Sequence, residues 1–134
     1  MIYGKLFMSE KYTLTPVEFE LMNILWKIEQ GTVRDVMAHL SNKRTLAYTS
    51  VSTILRILEQ KKIITAKKIG KQHIYIPALS KPNFAAYSVK KMVTQVFSGN
   101  SVELVAYLID RKDLSMDEIT AIQKLINAKK KEIL

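Results

Sequence analysis

The sequence predicts a mainly α-helical fold with a small β-hairpin wing: a winged helix-turn-helix domain over residues 10–79, then a three-helix domain over 80–134. Three observations predict it. Helical segments opened by capping boxes follow one another along the first half of the chain. Two β-rich runs around a Gly-Lys turn come directly after the third helix. Positive charge collects in the stretch that holds that third helix and the hairpin.

The first helix starts at Thr15-Pro16-Val17-Glu18. Thr15 is a good N-cap, Pro16 suits a first helical position whose N–H would be unsatisfied anyway, and Glu18 completes the box. Val17, Leu21, Ile24, Leu25 and Ile28 then follow at helical spacing, which marks the buried stripe. Phe19 and Trp26 read as packing residues, and Gln30-Gly31 ends the helix. A second box, Thr32-Val33-Arg34-Asp35, opens a short helix with Val33, Val36, Met37 and Leu40 on one face. Ser41-Asn42-Lys43-Arg44 reads as a polar turn.

The third helix runs from Tyr48 to Lys61 or Lys62. Val51, Ile54, Leu55 and Leu58 fall at i, i+3, i+4 and i+7, so that face is buried. The opposite face holds Thr49, Ser52, Thr53, Arg56 and Gln60, with Ser50 beside it in the first turn. A small, hydroxyl-rich and basic face enters a major groove without steric conflict. A solvated helix surface is the plainer reading of the same residues. The β-rich runs 63–69 and 72–77 flank Gly70-Lys71, and Lys67, Lys68 and Lys71 make the tip basic. Helix, short helix, helix and basic hairpin is the order of a winged helix-turn-helix.

Residues 81–134 differ in character. A helix is predicted over 83–97, broken by Ser98-Gly99-Asn100. Asn100 or Ser101 caps a short helix ending at Ile109 that is apolar nearly all round: Val102, Leu104, Val105, Tyr107, Leu108 and Ile109. A third box, Ser115-Met116-Asp117-Glu118, opens a last helix to about Lys131 with a stripe of Ile119, Ile122, Leu125 and Ile126. Three helices of this size cannot cover that much apolar surface alone. A second copy of the chain is the simplest cover, which makes 80–134 a dimerisation domain. Its expected interface is Phe84, Val102, Val105, Leu108, Ile109, Ile119, Ile122 and Ile126. Packing onto the first domain is the alternative.

The formal charge of the chain is +9. Residues 1–42 carry a net −1, residues 43–73 a net +7 with Glu59 their one acid, and residues 74–134 a net +3. A concentration of this kind is the electrostatic footprint of a polyanion partner, though a charged stretch is also a common solvated surface. The chain has no cysteine, which excludes disulfides and thiolate metal sites. No apolar run reaches the length of a membrane span, and the first residues lack a signal-peptide pattern. A cytoplasmic protein without membrane attachment is therefore expected. His39 and His73 are the only histidines, and neither has a carboxylate or nucleophile at motif spacing. Gly-rich phosphate loops and zinc spacings are missing too. No enzyme activity, cofactor or metal is expected.

With these motifs in place, the chain resembles the penicillinase repressor family (the BlaI/MecI/CopY type) over nearly all of residues 13–127. The resemblance lies in Leu14-Thr15-Pro16-Val17-Glu18-Phe19-Glu20 leading to Leu25-Trp26, and in Gly31-Thr32-Val33-Arg34-Asp35-Val36. It continues in Ala47-Tyr48-Thr49-Ser50-Val51-Ser52-Thr53-Ile54-Leu55-Arg56-Ile57-Leu58, in Tyr75-Ile76-Pro77, and in Asp113-Leu114-Ser115. In order and with these gaps, the segments are specific jointly. The resemblance implies a transcriptional repressor that sits on a palindromic operator as a homodimer. In antibiotic-responsive members it implies a regulatory protease partner, which cuts an Asn-Phe bond in the dimerisation domain. The matching pair here is Tyr107-Leu108, so cleavage there is not expected to be the switch. Copper-responsive members use a cysteine-rich motif, which this chain lacks.

The expected DNA contacts follow from the winged-helix order. Thr49, Ser50 and Thr53 lie in the first turns of the recognition helix and are expected to meet base edges. Arg56, further along, and Lys67, Lys68 and Lys71 are expected to meet the phosphate backbone. The alternative function is a ligand-responsive winged-helix regulator, with Phe84, Tyr87, Phe97 and Tyr107 lining a small-molecule pocket. A winged helix used only for protein contact is a further alternative.

Overall fold

The structure is a computed structural model that describes residues 12–41, 44–111 and 113–134. Helices α1 (Pro16–Ile28), α2 (Val33–Ala38) and α3 (Tyr48–Gln60) lead into strands β1 (Ile64–Ile69) and β2 (Gln72–Pro77). Helices α4 (Lys81–Gln95), α5 (Ser101–Ile109) and α6 (Met116–Ile133) follow. This is the mainly helical fold with a hairpin wing that the sequence predicts. The predicted helix over 83–97 begins and ends two residues earlier, at Lys81 and Gln95. Part of the polar turn at Ser41-Asn42-Lys43-Arg44 lies outside the described residues; within it the Arg44 amide donates to the Ser41 carbonyl at 2.9 Å.

All three capping boxes form. Each N-cap hydroxyl (Thr15, Thr32, Ser115) accepts from the backbone N–H three residues on, and the acid there (Glu18, Asp35, Glu118) returns the bond. The orphan donors of these helix starts are satisfied locally, which is why the starts were legible in sequence. Asn100 caps α5 in the same way, its side-chain oxygen accepting from the Glu103 amide at 3.0 Å. The end of α3 is a Schellman motif with an unusual occupant. The Ile63 amide donates to the Leu58 carbonyl, the Lys62 amide to that of Glu59, and Lys62 takes φ 63°, where glycine is usual. The apolar contact that accompanies such motifs comes from Leu58 and Ile63, both fully buried.

Compact packing divides the chain between Ser88 and Val89, within α4. The core of the first unit gathers Leu21, Met22, Ile24 and Leu25 of α1, Val33 and Val36 of α2, and Val51, Leu55 and Leu58 of α3. Ile63, Ile64 and Tyr75 close it from the wing side. The hairpin is antiparallel, pairing Ile64 with Pro77 through Ile69 with Gln72. Gly70 takes φ 62° in the two-residue turn, which suits glycine at the first turn position. A pair of hydrogen bonds between Gly31 and Tyr75, 3.0 and 2.8 Å, fastens the wing to the α1–α2 corner. A Cβ at Gly31 would lie 2.8 Å from Ile28 Cδ1 and 3.0 Å from Asp35 Cβ, so a larger residue here would have to push those two side chains aside.

Trp26 donates from Nε1 to the Leu79 carbonyl at 2.9 Å, holding the exit from the wing against α1. Phe19, Trp26 and Phe84 form one aromatic group, with ring centroids 5.5–6.1 Å apart. Phe84, expected at the dimer interface, is thus half-buried within its own chain. In the second unit no described residue is buried. Val102, Val105, Leu108 and Ile109 of α5 and Ile119 and Ile126 of α6 are exposed, and Ile122 is half-buried. The Tyr107-Leu108 bond lies within helical α5.

Candidate nucleic-acid interface

Part of the basic segment, Arg56 of α3 with Lys68 and Lys71 of the wing, comes together in one cleft. Burial of Val51, Leu55 and Leu58 fixes the rotation of α3, and helical spacing then turns Thr49, Ser50, Thr53 and Arg56 outward. All four are exposed. The Thr53 hydroxyl donates to the Thr49 carbonyl at 2.8 Å. Its proton is therefore engaged, and Thr53 offers the outside an acceptor and a methyl group. Arg56 reaches back with Nη2 to Ser52 Oγ at 3.4 Å.

Alternation along the hairpin sorts the three lysines. Ile64, Ala66 and Lys68 share one face with their partners Pro77, Tyr75 and His73. Ala66, Lys68, His73 and Tyr75 line a cleft against α3. Lys67, paired with Ile74, belongs to the opposite face of the hairpin. Lys71, at the turn, joins the cleft. Lys68 and Lys71 thus come together with Arg56, whereas Lys67 does not join them.

The cleft has a volume of about 450 Å³. Its lining comes from Thr32, Val33 and Arg34 at the start of α2, from Tyr48, Ser52, Arg56 and Glu59 of α3, and from the hairpin. Four cationic side chains face one carboxylate, Glu59. Burial pushes the Tyr75 phenol above its ordinary range, with Glu59 adding to the effect, so Tyr75 stays a neutral hydroxyl at ordinary pH. Arg34 and Tyr48 were not among the expected contacts. The guanidinium of Arg34 stands over the Tyr48 ring, 5.2 Å from its centroid, a partnership across fourteen residues that periodicity does not reveal.

Two further groups of expected residues separate into distinct pairings. Phe84 packs on Phe19 and Trp26, Tyr87 on Tyr12, and Phe97 on Tyr107. His39 Nδ1 lies 2.9 Å from the Asp35 carbonyl oxygen, and His73 stacks beside Tyr75. Among the described residues, no three His, Cys, Asp or Glu side chains are grouped to hold a metal ion. No helix among them is long and apolar enough to cross a membrane.

A three-helix core carrying a hairpin wing, with hydroxyl and basic side chains turned outward from the third helix, defines the winged helix-turn-helix class. The family model for the penicillinase repressor matches residues 14–128, and the chain belongs to that family. The chain is similar to the methicillin resistance regulatory protein MecI of Mammaliicoccus sciuri, 24% identical over 121 residues that cover 90% of this chain and 98% of that protein. It is similar to the transcriptional regulator BlaI of Mycobacterium tuberculosis (strain CDC 1551 / Oshkosh), 28% identical over 121 residues, 89% of this chain and 86% of that one. The penicillinase repressor of Bacillus licheniformis is 20% identical over 117 residues, 87% of this chain and 91% of that one.

Proposed function

We propose that this protein is a sequence-specific transcriptional repressor that binds a palindromic operator as a homodimer, in the cytoplasm and without catalytic activity. One observation carries the reading: Arg56 of α3 and Lys68 and Lys71 of the wing line one cleft, and Thr49, Ser50 and Thr53 of the same helix are exposed. With α3 in the major groove, the first turns reach base edges and the wing lies along the backbone. Thr49, Ser50 and Thr53 read the bases. Arg56, Lys68 and Lys71 hold phosphate, with Lys67 at the outer face of the wing contributing less. The apolar faces of α5 and α6 are covered by a second copy, which places two recognition helices on two half-sites. Membership of the repressor family supports the regulatory role.

The test is binding to the DNA upstream of the protein's own gene and to a scrambled duplex of equal length. Thr53 presents its methyl while its proton is held by Thr49, so contact with a thymine methyl is the expected readout. Thr53→Ser removes that methyl and should lower discrimination between the two duplexes by about 0.8 kcal/mol. Thr53→Val keeps it and should retain most of the discrimination. Equal losses on both duplexes for Thr49→Ala and Thr53→Ser would show that these residues do not read bases.

A further inference from the structure

We propose that Arg34, held against Tyr48 at the edge of the cleft between α3 and the wing, clamps a DNA phosphate and extends the backbone contact onto α2. The proposal rests on the DNA-binding reading above and adds a contact to it from an element outside the recognition helix and wing.

The cleft brings Arg34, Arg56, Lys68 and Lys71 against Glu59 alone. Among the described residues, no carboxylate lies within ion-pair distance of Arg34. Its neighbour Asp35 is occupied elsewhere: Oδ2 accepts from the Thr32 amide at 2.9 Å, and that hydrogen bond, followed by the Thr32 hydroxyl contact, holds the Asp35 carboxyl below its ordinary range. Arg34 thus presents a full positive charge to a cleft that already carries a cationic excess, an arrangement that an anion relieves.

Arginine is long and rotamer-rich, and a free arginine loses much of that freedom when it binds. Its place over the Tyr48 ring, 5.2 Å from the centroid, restricts the guanidinium beforehand, and Arg34 itself remains exposed. A planar fork so held suits the two oxygens of a phosphodiester. Lys68 and Lys71 approach the same cleft as flexible point charges. Hydroxyls of Thr32, Tyr48 and Ser52 share the lining. A polyanionic backbone strand fits this set, because its phosphates recur along a line and the cations here are spread from α2 to the wing tip.

The rival is that Arg34 only covers the Tyr48 ring. The full-length protein is titrated with a random-sequence duplex between about 50 and 200 mM salt, where phosphate contacts set the slope of log affinity against log salt. Arg34→Gln is expected to flatten that slope by about 0.9 for each protomer engaged, with an unchanged melting temperature. Across this salt range wild type should then lose about 3.5-fold more affinity than the variant for each such contact. Arg34→Lys, which keeps the charge, should keep the slope. A wild-type slope in Arg34→Gln, with wild-type DNA binding intact, overturns the clamp and leaves the DNA-binding reading standing. A lowered melting temperature with an unchanged slope assigns Arg34 to covering the ring and also overturns it. Absence of salt-dependent binding in the wild-type protein would sink both.

Discussion

Lys61 meets Glu18 across 43 residues of sequence, with Nζ 3.0 and 2.9 Å from the two carboxylate oxygens. The same ammonium donates to the Thr13 carbonyl at 3.1 Å. Glu18 is buried, and its Oε1 also accepts from the Thr15 amide at 2.8 Å. One carboxylate therefore caps α1 and ties it to the end of α3. Burial pushes the Glu18 carboxyl up, but the Thr15 amide and the Lys61 ammonium outweigh burial and hold it below its ordinary value. A carboxyl lowered in the folded state contributes stability above its unfolded pKa, and that contribution is lost as pH falls through the folded value. Glu18→Gln should therefore be less stable than wild type near pH 7, by about 1–2 kcal/mol. The gap should narrow as pH falls below the ordinary glutamate range, where the wild-type carboxyl finally takes up its proton. Denaturant unfolding at several pH values measures it; a gap independent of pH would mean that Lys61 and Glu18 are not coupled. In the sequence Glu18 was legible as a capping residue. Its second partner was not, because a contact between two helices leaves no periodic trace.

At the scale of elements, the wing is where local rules and tertiary placement part. Gly70, the β-rich runs and the lysines all declare a basic hairpin in the sequence. Which lysine faces α3 follows from register, and the pairing of Lys68 with His73 puts Lys68 on the cleft side and Lys67 on the other. The salt slope should respond accordingly. Lys68→Ala and Lys71→Ala should each flatten it by about 0.9 per protomer, or about two in a dimer, with the ratio of operator to random affinity unchanged. Lys67→Ala should flatten it less. Salt titrations of the three variants on both duplexes decide the matter, and an unchanged slope in all three would mean that the wing points away from DNA. Gly31 belongs to the same lesson. Its sequence position marks the end of α1, and the structure adds a second task, the pair of backbone hydrogen bonds to Tyr75 of the wing.

At the scale of the whole molecule, the described residues of the second unit carry many exposed apolar side chains. Leu125 is 71% exposed and Val102 78%, and their neighbours Val105, Leu108, Ile109, Ile119 and Ile126 are exposed with them. Apolar surface of this extent marks an interaction site, and a second copy of the chain is the occupant proposed above. Val105→Asp and Ile126→Asp, placed at exposed positions, should convert a sedimenting dimer into monomers while α-helical circular dichroism stays near that of wild type. Dimers that persist in both variants at equal concentration would place the interface elsewhere. Weaker operator binding should accompany dissociation, since each protomer then engages one half-site alone.

The sequence by itself determined the starts of α1, α2 and α6 and the hairpin turn. Each of these is written in neighbouring residues: Thr15 with Glu18, Thr32 with Asp35, Ser115 with Glu118, and Gly70 between two β-rich runs. It also supplied the outward face of α3, because a 3.6-residue period needs no partner to be read. Met22, fully buried, escaped that reading because it widens the α1 stripe beyond the positions chosen by strict spacing. Only the tertiary structure brought Lys61 to Glu18, Arg34 to Tyr48 and Trp26 to the Leu79 carbonyl. Those contacts join residues of different elements, and their geometry exists only once the core of Leu21, Leu25, Val51 and Leu55 has set the helices against one another.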